Sequence, residues 1–342
     1  MLNGTVDIMS EDEQLSHYEG TEKLLEVWFR PIERGEKGDG GGASDLRSIP
    51  SEELKKLMTL VKCEIVSVLK DEHQTAYILS ESSMFVSKTR FILKTCGTTL
   101  LLEALQELFR LAKEHCNYEV EDMFYSRKNF LRPELQHNPH KTFEKEVERL
   151  DKIFDCGAAY VLGRMNGECW YLYTLDRMNV VQQPDQTLEI LMTQLDEDVM
   201  KHFEDTEGKK GSDVTKASGI DKILPAAKID EQLFKPCGYS MNGLLPNNQY
   251  VTIHVTPQAE FSYVSFETNV EKEDFSGLVQ KVIETFKPGR FVMTLFANEF
   301  AKCGSSFQAL KETFLVSYKR QDKQYSQFKN YNLTFGNYIK ER

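Results

Sequence analysis

The sequence predicts an α+β fold, a four-layer α/β/β/α sandwich in which two antiparallel sheets pack together with helices outside and the second half repeats the first. Three observations carry this expectation. Short runs rich in β-branched and aromatic residues follow one another early, an amphipathic helical stripe comes directly after them, and the same order returns near residue 250. Residues 64–69, 75–79 and 90–93 read as successive strands of an antiparallel meander. Leu100, Leu101, Ala104, Leu105, Leu108 and Leu111 then recur at i, i+3, i+4 and i+7, the stripe a helix lays on a sheet, with Gly97 and Thr98 at its start. In the second half, 250–256 and 261–268 read as strands, 275–286 has helical spacing, and 290–297 returns as a strand. Two stretches lack such patterning. Residues 35–44 place five glycines among charges and read as a surface insertion. Residues 204–218, polar and glycine-containing, read as a link between two larger units and are the expected internal boundary.

Composition narrows the function. The chain has 342 residues, of which 40% are hydrophobic, 28% charged and 11% aromatic, with ten prolines, which excludes a disordered or collagen-like chain. Its 53 acidic side chains outnumber 42 basic ones and leave a net charge of −11, arguing against a general nucleic-acid binder and for a cationic ligand. No run is long and apolar enough for a spanning helix, the first 19 residues lack a secretory pattern, and Lys340, Glu341 and Arg342 match no lipidation signal, so a cytosolic protein free of membrane is expected. The seven cysteines are widely spaced with no CxxC pair, so they are read as reduced thiols rather than a disulfide framework or zinc knuckle. His137 and His140 flank Pro139 and fail as a helical metal pair, and no metal is expected. Gly238 and Gly243 are wrongly spaced for a nucleophile elbow, and the acidic run 195–198 reads as a helix start.

The informative segment is 79–88, a serine-rich interruption between two strands. Adjacent serines are ordinarily turn formers, because their hydroxyls bond to nearby backbone. Here they keep company. Tyr18-Glu19-Gly20-Thr21-Glu22, Ser80-Glu81-Ser82-Ser83, Lys94-Thr95-Cys96-Gly97, Phe124-Tyr125-Ser126-Arg127 and Pro236-Cys237-Gly238-Tyr239-Ser240 occur in that order, and 184–189 and 261–269 extend the set. Together they resemble the eukaryotic, animal-type S-adenosylmethionine decarboxylase proenzyme family from about Tyr18 to the C-terminal region.

The resemblance implies self-cleavage between Glu81 and Ser82, giving a β chain of residues 1–81 and an α chain of 82–342 that stay in one sandwich domain, with Ser82 converted to a pyruvoyl group. It implies that Ser240 and His254 assist processing and that Glu22 lies near the catalytic centre. A pyruvoyl group supplies an electron sink through a Schiff base, and Cys96 is the implied proton donor to Cα. Tyr18 and Phe234 match an aromatic pair suited to adenine and a sulfonium; Glu19 and Glu81 join them as substrate-binding candidates. Two positions depart from the pattern. Tyr18 replaces a phenylalanine, and Gln258 replaces a glutamate that accepts from ribose hydroxyls, a weaker, neutral acceptor. Glu26, Asp185, Thr187, Glu189 and Glu267 match an animal-type putrescine site, and Leu24 and Phe124 stand where plant members carry basic residues.

The implied activity is conversion of S-adenosylmethionine to its decarboxylated form and CO2 for spermidine and spermine synthesis, with putrescine as activator and a homodimer of processed protomers. The alternative is a noncatalytic regulatory paralogue, prozyme-like, that activates a catalytic partner. Gln258 and Tyr18 favour that alternative, whereas Ser82, Cys96, Ser240 and His254 oppose it.

Overall fold

The structure, a computed structural model, describes residues 18–32, 44–176, 183–205, 208–311 and 315–341. The glycine-rich insertion, Ser44 apart, lies outside the described residues. The first half supplies β1 (Lys23–Pro31), β2 (Ile65–Lys70), β3 (Gln74–Leu79), β4 (Ser82–Ser87), β5 (Arg90–Thr95), β6 (Tyr118–Lys128), β7 (Gly157–Gly163) and β8 (Cys169–Leu175). They form one sheet in the order β2-β3-β4-β5-β1-β6-β8-β7. The second half supplies β9 (Gln186–Thr193), β10 (Lys228–Leu233), β11 (Tyr239–Leu245), β12 (Gln249–Thr256), β13 (Tyr263–Thr268), β14 (Arg290–Asn298), β15 (Tyr318–Gln327) and β16 (Tyr331–Lys340). Their order, β10-β11-β12-β13-β9-β14-β16-β15, is the first order with eight added to every strand. The duplication expected from the sequence is therefore a duplication of topology, and the pairings within both sheets are antiparallel.

Helices cover the outer faces. Helices α1 (Ser51–Leu60), α2 (Ala104–Cys116) and α3 (Phe143–Leu150) belong to the first half. Leu54, Leu57, Leu105 and Leu108 join Leu25, Val27, Phe91 and Leu93 in one apolar cluster. In the second half α4 (Gly211–Ser218) and α5 (Ser276–Phe286) contribute Val214, Val279 and Val282 to a cluster with Ile190, Ile253, Phe266 and Met293. Strand side chains alternate between faces, so every second residue enters one of these clusters and the rest point toward the other sheet.

The expected boundary at 204–218 is not where the chain divides. The first sheet ends at Leu175 and the second begins at Gln186, while 211–218 is α4, packed inside the second half. That stretch reads as a linker because α4 buries little besides Val214 and Thr215, leaving the rest of its surface polar. Residues 239–245 form strand β11, which leaves no place for a nucleophile elbow. The acidic run does start a helical turn: the Asp196 carboxylate accepts from the amides of Asp198 and Val199. His140 is fully buried against Glu146 at 2.7 Å.

Candidate active site

The layer between the sheets has apolar clusters that join both sheets, Trp170 and Leu172 with Leu191 and Val292, and Phe85 and Ile92 with Leu244 and Tyr250, and among them a polar group that an ordinary sandwich lacks. Glu22, immediately before β1, and Glu26, Arg90 and Lys94 from the first sheet share it with Glu189, Asn242, His254 and Glu267 from the second, all buried. At one end of this layer β4 begins. Ser82 has φ +118°, a backbone conformation that costs a non-glycine residue about 1–3 kcal/mol. Its hydroxyl donates to Glu22 Oε1 at 2.6 Å and lies 3.3 Å from both ring nitrogens of His254. His254 Nδ1 meets the same Glu22 oxygen at 2.6 Å, and its Nε2 meets Ser83 Oγ at 2.8 Å. Ser83 in turn donates to Asn242. Burial alone would raise the Glu22 carboxyl, but Lys94 and His254 outweigh it and hold the group well below the usual carboxylate range. An ionised acceptor therefore sits against the Ser82 hydroxyl. Ser240 stands opposite His254 in the β11–β12 register and lines the cavity above Ser82.

That cavity has a volume of about 280 Å³, and its walls include Tyr18, Glu81, Ser82, Cys96, Phe234 and Gln258, so six of the sequence candidates converge there beside Ser240 and His254. Gln258 lines the cavity, and its Oε1 is buried without a hydrogen-bond partner among the described residues. Burial, and then repulsion from Glu81 and Glu22, pushes the Cys96 thiol well above its ordinary value, so it holds its proton at neutral pH. Gly97, at φ +60°, leaves room for both neighbours: a Cβ there would lie 3.3 Å from Glu81 Oε2 and 3.5 Å from the Tyr18 ring. Glu19 lies apart. Its Oε2 accepts the amides of Leu131 and Arg132, and it lines an adjoining cavity of about 330 Å³ on the other side of Tyr18 and Tyr263.

Deeper in the layer the acids form a second group. Lys94 Nζ lies 3.3 Å from Glu22, 3.2 Å from Glu189 and 2.6 Å from Glu267. Arg90 lies 3.6 Å from both Glu26 and Asp185, against the rings of Trp28 and Tyr250. Trp170 donates to Glu189, Tyr250 to Glu267 and Tyr331 to Asp185. Thr187 is on β9, on the same strand face as Glu189 and opposite Phe296 of β14. Five carboxylates thus surround two permanent cations. Burial first, and then repulsion from Asp185, pushes Glu26 up to about 8, and burial raises Asp185 and Glu189 as well. Sequence reasoning found the acids but missed Lys94, Arg90, Trp170, Tyr250 and Tyr331. The available signal was the alternation Arg90-Phe91-Ile92-Leu93-Lys94, which puts two charges on the face of a strand that has no solvent side.

Comparison with known proteins agrees in direction. A family model described as adenosylmethionine decarboxylase matches residues 15–339. A Xenopus laevis protein called S-adenosylmethionine decarboxylase proenzyme is 50% identical over 336 residues, covering 97% of this chain and 98% of that one. A Drosophila melanogaster protein of the same name is 47% identical, with 94% and 96% covered. Among solved structures, the Trypanosoma brucei AdoMetDC-delta26 monomer superposes with a TM-score of 0.61 at 24% identity, over 76% of this chain and 99% of that one, a likeness of fold.

Proposed function

The chain belongs to the adenosylmethionine decarboxylase family, pyruvoyl-dependent carboxy-lyases, and from that premise we propose that it cuts itself between Glu81 and Ser82 and then decarboxylates S-adenosylmethionine. The observation that carries this reading is the Ser82 hydroxyl, held at 2.6 Å by an ionised Glu22 that also grips His254. Ser82 Oγ attacks the Glu81 carbonyl carbon as Glu22 takes the hydroxyl proton; the Oγ–C bond forms, the peptide C–N bond breaks, and the serine amine is released. The strain at Ser82 favours leaving the peptide state. Loss of the Ser82 Cα proton, with His254 alongside as acceptor, expels the β-chain carboxylate, and hydrolysis of the remaining enamine releases ammonia and leaves a ketone. Ser240, on β11 opposite His254 of β12, assists.

Once made, the pyruvoyl group supplies the electron sink for decarboxylation. The chain's own residues do the rest. The Tyr18 and Phe234 rings offer faces to the adenine and the sulfonium, the unpartnered Gln258 oxygen suits the ribose hydroxyls, and the Glu81 side chain lines the same cavity. Cys96, which keeps its proton, gives it to Cα after CO2 departs. In the deeper layer Glu26, Asp185, Thr187, Glu189 and Glu267 form the proposed putrescine site. Four carboxylates against Arg90 and Lys94 leave two in excess, which suits a dication, whose arrival would allow the raised acids to ionise.

The product is the aminopropyl donor for spermidine and spermine, and we place the protein in that synthesis, in the cytosol, as a homodimer. Strands β2, β7, β10 and β15 end the sheets and are available for such pairing. The test is the intact mass of denatured protein, with and without putrescine, beside Ser82→Ala. Two chains divided at Glu81/Ser82, the larger without a free amine, are expected, and Ser82→Ala stays whole. One uncut wild-type chain in both conditions refutes the reading and leaves the regulatory paralogue.

A further inference from the structure

Tyr18 does more in this chain than present a ring. Its Oη donates to Glu81 Oε2 at 2.5 Å and lies 2.8 Å from Cys96 Sγ, while the direct distance from Cys96 Sγ to Glu81 Oε2 is 3.8 Å. The hydroxyl is therefore the shorter link between thiol and carboxyl, beside a long direct one. The backbone around Cys96 is fixed independently: its amide donates to the Glu81 carbonyl, Thr99 Oγ1 donates to its carbonyl, and Lys23 Nζ and Gln136 Nε2 both donate to the Gly97 carbonyl. With the main chain pinned, the direction of the thiol is left to Tyr18 at 2.8 Å and to the longer contact with Glu81. A phenylalanine, the residue the family pattern carries here, has the same face for stacking and no atom that could make either contact.

We propose that the Tyr18 hydroxyl is a positioning residue for Cys96 that also returns a proton to it, along a chain Cys96 Sγ, Tyr18 Oη, Glu81 Oε2. This rests on the decarboxylase reading. Cys96 S–H protonates Cα, Tyr18 O–H passes its proton to the thiolate, and Oη is reprotonated through Glu81 from water. One water-derived proton is consumed per CO2 released, so the exchange balances. Tyr18, Glu81, Glu22, Lys23 and Cys63 are the titratable groups around the thiol. Burial raises Tyr18 and Glu81, which keeps protons on the route.

The test is Tyr18→Phe, with Tyr18→Leu beside it. In the processed enzyme Tyr18→Phe is expected to lower kcat roughly three- to tenfold, the scale of one hydrogen bond, with KM within about twofold because the ring remains. Tyr18→Leu raises KM as well. The second readout does not use the processed enzyme. In the Ser82→Ala precursor, alkylation of Cys96 by iodoacetamide is followed against pH by peptide mass, with Cys156 as internal control. Loss of the hydroxyl, a donor to the thiolate, should move the Cys96 midpoint upward by roughly half to one unit and leave Cys156 unmoved. Unchanged kcat together with an unchanged Cys96 midpoint overturns the proposal. If the wild type never cleaves or decarboxylates, the function reading falls, yet the alkylation midpoint still decides whether Tyr18 holds the thiol.

Discussion

Replacing Lys94 with methionine tests the electrostatic centre of the layer between the sheets. Its ammonium lies within 3.3 Å of Glu22, Glu189 and Glu267, all of them buried. Methionine keeps much of the stem and removes the charge, so the cavity term is small and the loss is mainly that of leaving buried carboxylates without their cation, about 3–5 kcal/mol. The pH dependence carries the diagnosis. Glu22 is depressed in the folded protein, so its contribution to stability is present above the unfolded value of about 4.3 and lost as pH falls through the folded value. Lys94→Met weakens that depression and raises Glu189 further. The deficit is thus largest near pH 8 and shrinks toward pH 5, as the raised Glu189 takes up its proton. Urea unfolding of Ser82→Ala, with and without Lys94→Met, measures this without interference from cleavage. A deficit under about 1 kcal/mol at pH 8, or one that does not change with pH, would refute the claim that the Lys94 charge holds the layer together.

Two further outcomes follow from the same geometry. Gln258→Glu exchanges a neutral, unpartnered acceptor for a charged one, so KM should fall several-fold with little change in kcat; steady-state kinetics showing an unchanged KM would remove Gln258 from the ribose. Putrescine binding should release close to one proton per site at pH 7, because Glu26, held at about 8 in the free protein, must ionise against the diamine. Its affinity should rise about tenfold between pH 7 and 9, and calorimetry in buffers of different ionisation heat reads the proton directly. Without ligand, the same raised value favours the folded state below the unfolded value of about 4.3, and that contribution is lost as pH rises through about 8. Absence of proton release would take Glu26 out of the site.

Much of this architecture was legible because it depends on local patterning. The leucine stripe of α2 has a helical period and the runs at β2, β3 and β12 are rich in β-branched and aromatic residues, and both signals survive in a single sequence. The divide between sheets was not legible, since 176–185 carries two adjacent valines and only one proline and has no glycine, while α4, with one buried face, has the composition of a linker. Side-chain partners across the midline were out of reach for another reason. Ser82 and His254 are 172 residues apart and meet through the packing of two sheets, which no spacing rule encodes. Their assignment came from resemblance. Lys94 was visible in principle, as a charge on a strand with both faces covered, but the rule that such a charge must have buried partners does not name them.

The repeated strand order explains why these partners meet. Strands that correspond in the two halves lie across the midline from one another, β4 with β12 through Ser82 and His254, and β5 with β13 through Lys94 and Glu267. Each sheet has its own apolar cluster beneath its helices, and smaller clusters join the two sheets, so folding does not require the whole midline to be apolar. Buried ion pairs are weak sources of net stability, and here they are tolerated because the outer clusters supply it. The midline is then the part of the fold where side chains can be selected for chemistry. Tyr18 and Gln258, the two departures from the family pattern, line the cavity at this midline and lie in neither outer cluster. Their effects should therefore appear in kcat, KM and thiol titration before they appear in unfolding, and the Cys96 alkylation profile is the measurement that separates the two.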